Sequence, residues 1–161
     1  MGEDRPGRRP QGRAGLIALH SVSGLDPAIG PLAEAAARER HGMMRRLVDD
    51  WSSGANRFER PGEVFLGTWL DGRLVGVGGL NRDPYADDDL TGRVRHVFVL
   101  PGARRSGVGT ALLREIIARA PQTFRVLRLR TFTPDAAAFY AALGFAETSE
   151  PEASHRMEWP A

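Results

Sequence analysis

The chain has 161 residues, 42% of them apolar and 26% charged, with 22 basic and 20 acidic residues and a formal net charge of +2. That length suits one domain with a substantial core, and no apolar run approaches the roughly 18 residues of a membrane helix. Cysteine is absent and all 22 basic residues are arginine, which excludes disulfides, thiolate metal sites, a cysteine nucleophile, a Walker-type phosphate lysine and a lysine Schiff base.

The first thirteen residues carry four arginines among glycines and prolines and no apolar core of a secretory signal. They are expected to form a disordered basic tail ahead of one domain over residues 14–161, and the chain is expected to be cytoplasmic. Residues 15–22 read as a first strand. Asp26 and Pro27 open a helical region, with Leu32, Ala35, Ala36 and Glu39 at helical spacing. A second helix, over about 41–52, places Met44, Leu47, Val48 and Trp51 on one face, and core packing is the plainer reading of that stripe. Residues 64–70 and 73–80 flank Asp71-Gly72 as a hairpin. A polar loop with Asp87, Asp88 and Asp89 leads to a strand over 93–100, stopped by Pro101. A helix over 107–120 buries Leu112, Leu113, Ile116 and Ile117. Residues 124–132 read as another strand, and a short helix from Pro134 or Asp135 to Leu143 is capped by Gly144. Residues 145–159 supply one or two closing strands. This order indicates a mixed α/β domain whose first half is largely antiparallel.

The chemistry centres on Val97-Phe98-Val99-Leu100-Pro101 followed by Arg104-Arg105-Ser106-Gly107-Val108-Gly109-Thr110. A strand there passes through a short turn into a helix N-terminus. Glycines at i and i+2 admit a ligand close to the backbone, and the unpaired N–H groups and positive dipole end suit a pyrophosphate. Arg104 and Arg105 add donors. Gly76-Val77-Gly78 repeats the spacing inside a strand, where close packing explains it better. A dinucleotide fingerprint would want a third glycine where Leu112 stands. No His-Glu-x-x-His zinc site or Gly-x-Ser-x-Gly elbow occurs, and the four histidines are scattered, so no metal is expected.

About thirty residues downstream lies Ala136-Ala137-Ala138-Phe139-Tyr140-Ala141-Ala142-Leu143-Gly144-Phe145. Arg104-x-x-Gly107-x-Gly109 together with that run, in this order and spacing, resembles the GCN5-related N-acetyltransferase (GNAT) family over roughly residues 63–146. The resemblance implies a mostly antiparallel sheet of six or seven strands with about four helices, with strands four and five splayed at a bulge and acetyl-CoA between them as co-substrate. It implies that Val97, Phe98 and Val99 meet the pantetheine arm as an added strand would, and that Arg104, Arg105, Ser106, Gly107, Val108, Gly109 and Thr110 hold the pyrophosphate. Tyr140 would protonate the leaving thiolate, and the Val99 N–H would face the developing oxyanion. Arg93 stands where some relatives have a glutamate base, and Thr133 where many have asparagine. His96 is the nearby side chain with a suitable ordinary pKa and is the candidate base; Asp83 and the Asp87–Asp89 run are further candidates. Arg93 and Arg95 share a strand face and would favour an acceptor bearing a carboxylate or phosphate, unless they pair with the acidic loop.

The activity so implied is acetyl transfer to a primary amine on a small molecule, by direct attack in a ternary complex. Protein N-acetylation and a non-catalytic acyl-CoA-binding or sensing module are the alternatives. No specific nucleic-acid or membrane partner is indicated, and a homodimer is compatible with the implied fold.

Overall fold

A computed structural model describes residues 15–160, and the tail expected over 1–13 lies outside the described residues. The elements in chain order are β1 (Ile17–Ser21), α1 (Gly30–Arg38), α2 (Met43–Ser53), β2 (Val64–Leu70), β3 (Arg73–Arg82), β4 (Thr91–Val99), α3 (Val108–Arg119), β5 (Val126–Leu129), α4 (Pro134–Ala142), β6 (Ala146–Glu147) and β7 (His155–Glu158). The strands form one sheet in the order β1-β2-β3-β4-β5-β7-β6. Every neighbouring pair is antiparallel except β4–β5.

Local chemistry explains the boundaries. Asp26 caps the turn before α1 by accepting the Ala28 N–H, and Gly54 ends α2 at φ +82°. Asp71 and Gly72 both take positive φ, at +51° and +81°, as the tightest hairpin between right-twisted strands demands. The Asp71 carboxylate also accepts the Leu16 N–H at 3.0 Å, tying the entry to β1 to this hairpin.

Two apolar clusters cover the two faces of the sheet. Leu32, Met44, Leu47, Phe58, Phe65 and Phe98 pack beneath α1 and α2; Leu66, Leu80, Leu112, Leu113, Ile116 and Leu127 pack beneath α3 and α4. The α2 stripe behaves as core, with Met44 and Leu47 fully buried and Trp51 against Phe58 and Phe65. Gly76 and Gly78 let α3 approach β3: added Cβ atoms would lie 3.1 Å from Val108 and 3.1 Å from Leu112 respectively.

β5 is shorter than the expected run over 124–132. Phe124 is buried without strand pairing, and Phe132 is 83% exposed. Pairing between β4 and β5 is limited to Thr91–Val126, Gly92–Leu127 and Arg93–Arg128, after which the strands part. β4 also carries one residue more than β3 across the interval from Val77–Phe98 to Gly79–Arg95. His96 takes up that extra residue at φ +56°, a bulge that bends the strand.

Candidate active site

The parting of β4 and β5 leaves a V-shaped cleft with an unpaired strand edge along it. The Leu100 N–H donates to Val75 O at 2.8 Å, so by alternation Val97 and Val99 turn their backbone groups away from β3, toward the cleft. The Val99 carbonyl accepts from Arg104 Nε at 3.0 Å, which leaves the N–H as the outward backbone donor of that residue. Phe98 points into the α1/α2 cluster and is buried.

Below the cleft the chain turns through Pro101–Ala103 into α3. Gly107 is the N-cap residue at φ +84°, and Arg105 is also left-handed at +63°. Among the described residues the N–H groups from Arg105 to Thr110 meet no acceptor at hydrogen-bond geometry, the first helical bond being Ala111 N–H to Gly107 O at 3.0 Å. A side chain at Gly107 would meet nothing within 4 Å, and one at Gly109 would make only ordinary contacts with Phe139 and Val99. This open, donor-rich rim fits a diphosphate. Val108 is buried under the helix, Thr110 is half-buried, and Arg105 is exposed. The Ser106 hydroxyl donates to Ala103 O and braces the turn.

Arg104 is placed differently from the arginine a phosphate site suggests. Its guanidinium meets Glu39 at the end of α1 at 2.8 Å and lies 5.5 Å from the Phe98 ring centroid, and this contact holds the Glu39 carboxyl below its ordinary range. Arg104 thus clamps α1 to the end of β4.

Tyr140 stands on α4 in the α3/α4 cluster, 8% exposed, edge-on to Phe139 and Phe145. Burial pushes its phenol up to about 12, so it is a neutral donor at physiological pH. Thr133 caps α4 by accepting the Ala136 N–H at 3.2 Å.

The other side of the cleft faces α2. The bulge puts consecutive residues Arg95 and His96 on this face, which plain alternation would have separated. His96 is buried, its ring edge-on to Phe58 at 6.2 Å; the Met43 backbone approaches the ring, but neither nitrogen makes a well-aligned hydrogen bond among the described residues. Desolvation, with the nearby Arg95 and Arg46 charges, lowers its pKa to about 4, so the imidazole is neutral at pH 7. Arg93 is committed elsewhere. It donates to Asp83 at 3.3 Å and to Glu152 O at 2.7 Å, beneath the Tyr85 ring. Asp83 also accepts from Arg128 at 2.9 Å and from the Tyr85 N–H, so this buried carboxylate locks the β4–β5 junction. The acidic loop pairs with Arg82, through Asp89 at 2.7 Å, and not with Arg93 or Arg95.

Arg95 lines a cavity of about 460 Å³ with Asp50, Asn56, Glu59, Asn81 and Asp83. Among the described residues it makes no ion pair within 4.0 Å, while Arg93 beside it does. Desolvation lowers its pKa, offset by Tyr85 and Asp50 nearby. Asp50, Asn56 and Glu59 had no motif to announce them; they come from the end of α2 and the connector after it. Among the described residues no three His, Asp or Glu side chains converge as a metal-ligand set, and no helix is long and apolar enough to cross a membrane.

Cleft, helix rim and neutral phenol together define an acyl-CoA transferase architecture. The sequence profile of the Acetyltransferase (GNAT) family matches residues 28–145, and the chain belongs to that family, the class of acetyl-CoA-dependent N-acetyltransferases. It is 35% identical over 63 residues to the aminoglycoside N(6')-acetyltransferase type 1 of Klebsiella aerogenes; the match spans 37% of this chain and 41% of that protein. A structure from Exiguobacterium sp. 255-15, provisionally described as an acetyltransferase, superposes with a TM-score of 0.77 at 28% identity, over 88% of this chain and 93% of that one. The PaiA N-acetyltransferase of Thermoplasma acidophilum, solved with coenzyme A, shares the fold at a TM-score of 0.63 and 17% identity, over 89% and 99% of the two chains.

Proposed function

We propose that the protein transfers the acetyl group of acetyl-CoA to a small primary amine that also carries an anionic group, by direct attack in a ternary complex. The observation that carries this reading is Arg95. A half-buried guanidinium without a carboxylate partner, lining a cavity beside the cleft, is costly unless a ligand anion joins it. Asp50 and Glu59 on the same cavity are suited to an ammonium. Glu63 is already used by the Arg60 and Arg82 N–H groups. The curated relative is named for an aminoglycoside, a polycationic acceptor; a cavity that mixes arginines with carboxylates suits a zwitterionic amine better.

In this reading the rim from Arg105 to Thr110 holds the diphosphate through backbone N–H groups, with the Arg105 side chain outside it. Val97 pairs with the pantetheine amides, and the Val99 N–H meets the thioester oxygen as it becomes anionic. The amine attacks the carbonyl carbon, the C–N bond forms and the C–S bond breaks. The sulfur takes the Tyr140 proton, and the phenol recovers one from solvent. His96, neutral throughout, accepts a hydrogen bond from the attacking amine, whose surplus proton leaves to solvent. The cytoplasm, where acetyl-CoA is available, and a homodimer are parts of the same reading; light scattering checks the latter.

Release of the coenzyme thiol gives a direct assay, because the chain has no thiol of its own. Matched amines with and without a carboxylate are compared on wild type and Arg95→Gln. The reading expects the carboxylated member of each pair to have the higher kcat/KM and to lose about tenfold or more in the variant, as for a lost charged hydrogen bond. Preference for neutral or polycationic amines, with Arg95→Gln unaffected, would overturn the acceptor class.

A further inference from the structure

A second histidine lies behind Tyr140. His155 on β7 is 3% exposed and pairs in register with Leu129 of β5, so both project into the layer between the sheet and α4. Its ring centroid is 6.5 Å from that of Tyr140, with the planes at 45°. Nδ1 lies 2.9 Å from the Ser154 hydroxyl, and that same oxygen accepts the Thr131 N–H at 2.9 Å. Nε2 is buried and has no partner among the described residues.

These contacts assign the tautomer. The Ser154 oxygen is already an acceptor, so its own proton needs an acceptor, and His155 Nδ1 is the one within reach. Nδ1 therefore carries the lone pair and Nε2 carries the hydrogen. The opposite tautomer would turn the serine proton out to solvent, since Ser154 is half-exposed, and leave a buried Nε2 lone pair without a donor. What is left is a single buried N–H donor with nothing to donate to, in the layer that holds the phenol. A buried unpaired donor is costly to keep, and an acceptor that strengthens during turnover accounts for it.

We propose that His155 is a positioning residue for Tyr140: its Nε2–H donates to the phenolic oxygen, directly or through one water, as the Tyr140 proton passes to the departing sulfur. The proton moves from phenol oxygen to sulfur, the nascent phenolate takes the Nε2 hydrogen bond, and the phenol is reprotonated from solvent, so the imidazole neither gains nor gives up a proton in the step. Ser154 and Thr131 fix the ring so that the correct nitrogen bears the hydrogen, as a supporting hydrogen bond does for other histidines. This inference rests on the role of Tyr140 proposed above.

The thiol of bound coenzyme A reports on it without knowledge of the acceptor. Titration of the thiolate absorbance of the protein–coenzyme A complex gives the thiol pKa free of cysteine background. The hydroxyl–sulfur contact should hold the bound thiol below free coenzyme A, and Tyr140→Phe should raise it by about one unit. His155→Leu should raise it by about half a unit or more, while His155→Gln, which keeps an N–H donor at nearly the same reach, should stay near wild type. If Tyr140→Phe leaves the thiol unchanged, the role of the tyrosine itself fails. If Tyr140→Phe acts and the folded His155→Leu does not, His155 alone is excluded. Should His155→Leu not fold, the side-chain 15N spectrum of the wild type decides: an Nε2–H that shifts on coenzyme A binding supports the proposal, and an Nδ1–H, or an Nε2–H indifferent to coenzyme A, overturns it.

Discussion

Gly107 offers a test that separates fold from cofactor site. It sits at φ +84° with open space where a side chain would go, so alanine there meets no clash and costs only the left-handed backbone penalty, about 1–2 kcal/mol. For a domain of this size that is a fall in Tm of about 2–8 °C, with coenzyme A affinity changed by less than about threefold if the rim keeps its shape. Glutamate adds the same backbone cost plus a carboxylate facing the diphosphate. At roughly 6 Å and an effective dielectric of about 20–40, one pair of like charges repels by about 1.5–3 kcal/mol, so affinity should fall about ten- to hundredfold. Calorimetric titration of coenzyme A into wild type, Gly107→Ala and Gly107→Glu, each checked by a thermal melt, reads both effects. Raised salt should narrow the gap between the two variants. Equal binding by the alanine and glutamate variants would refute a diphosphate site at the start of α3.

Tyr140→Phe should lower kcat by about a hundredfold or more, as loss of a general acid does. With the phenol pushed up to about 12, the wild-type pH profile should show no loss attributable to it between pH 6 and 9. His96 has a folded pKa of about 4 against roughly 6.5 unfolded, so the unfolded state binds the proton first as pH falls. The penalty is absent above about 6.5, grows below it, and reaches about 2–3 kcal/mol by pH 4.5. Denaturant melts at pH 7.5 and 4.5 should show that acid loss shrinking by this amount in His96→Gln, and an unchanged loss would contradict the buried neutral ring. Asp83→Asn leaves Arg93 and Arg128 without their buried carboxylate and should cost about 3–5 kcal/mol, seen as a Tm lower by roughly 6–20 °C.

What the sequence made legible was whatever short-range chemistry decides. Asp71-Gly72 fixed its hairpin to the residue because two successive positive-φ positions leave few alternatives. The loop from Arg104 to Thr110 could be placed at a helix start because Gly107 and Gly109 stand at the spacing that exposes N–H groups. The misfit at β5 has a physical origin: Phe124 and Phe132 extend its apolar run, but an apolar side chain does not tell a paired residue from a core residue or an exposed one. Long-range partners were beyond reach for the same reason. Nothing near Arg104 points to Glu39, 65 residues away, and nothing near Arg93 distinguishes it from Arg95 until Asp83 is seen to take only the former. His96 shows how one extra residue defeats alternation. The bulge turns it to the same face as Arg95, and burial there removes the ordinary pKa that made it attractive as a base.

The early end of the β4–β5 ladder has a consequence for the life of the protein. Unsatisfied strand edges invite pairing with other chains, and sheets normally keep them short, charged or covered at their margins. Here such edges open in the middle of the sheet, where in the proposed function a bound pantetheine chain covers them. A ligand at a hundred times its Kd adds about 2.7 kcal/mol to folding stability by mass action. On that proposal, a cell short of coenzyme A would hold this protein in a form that is both less stable and stickier, and its abundance would follow the supply of the donor.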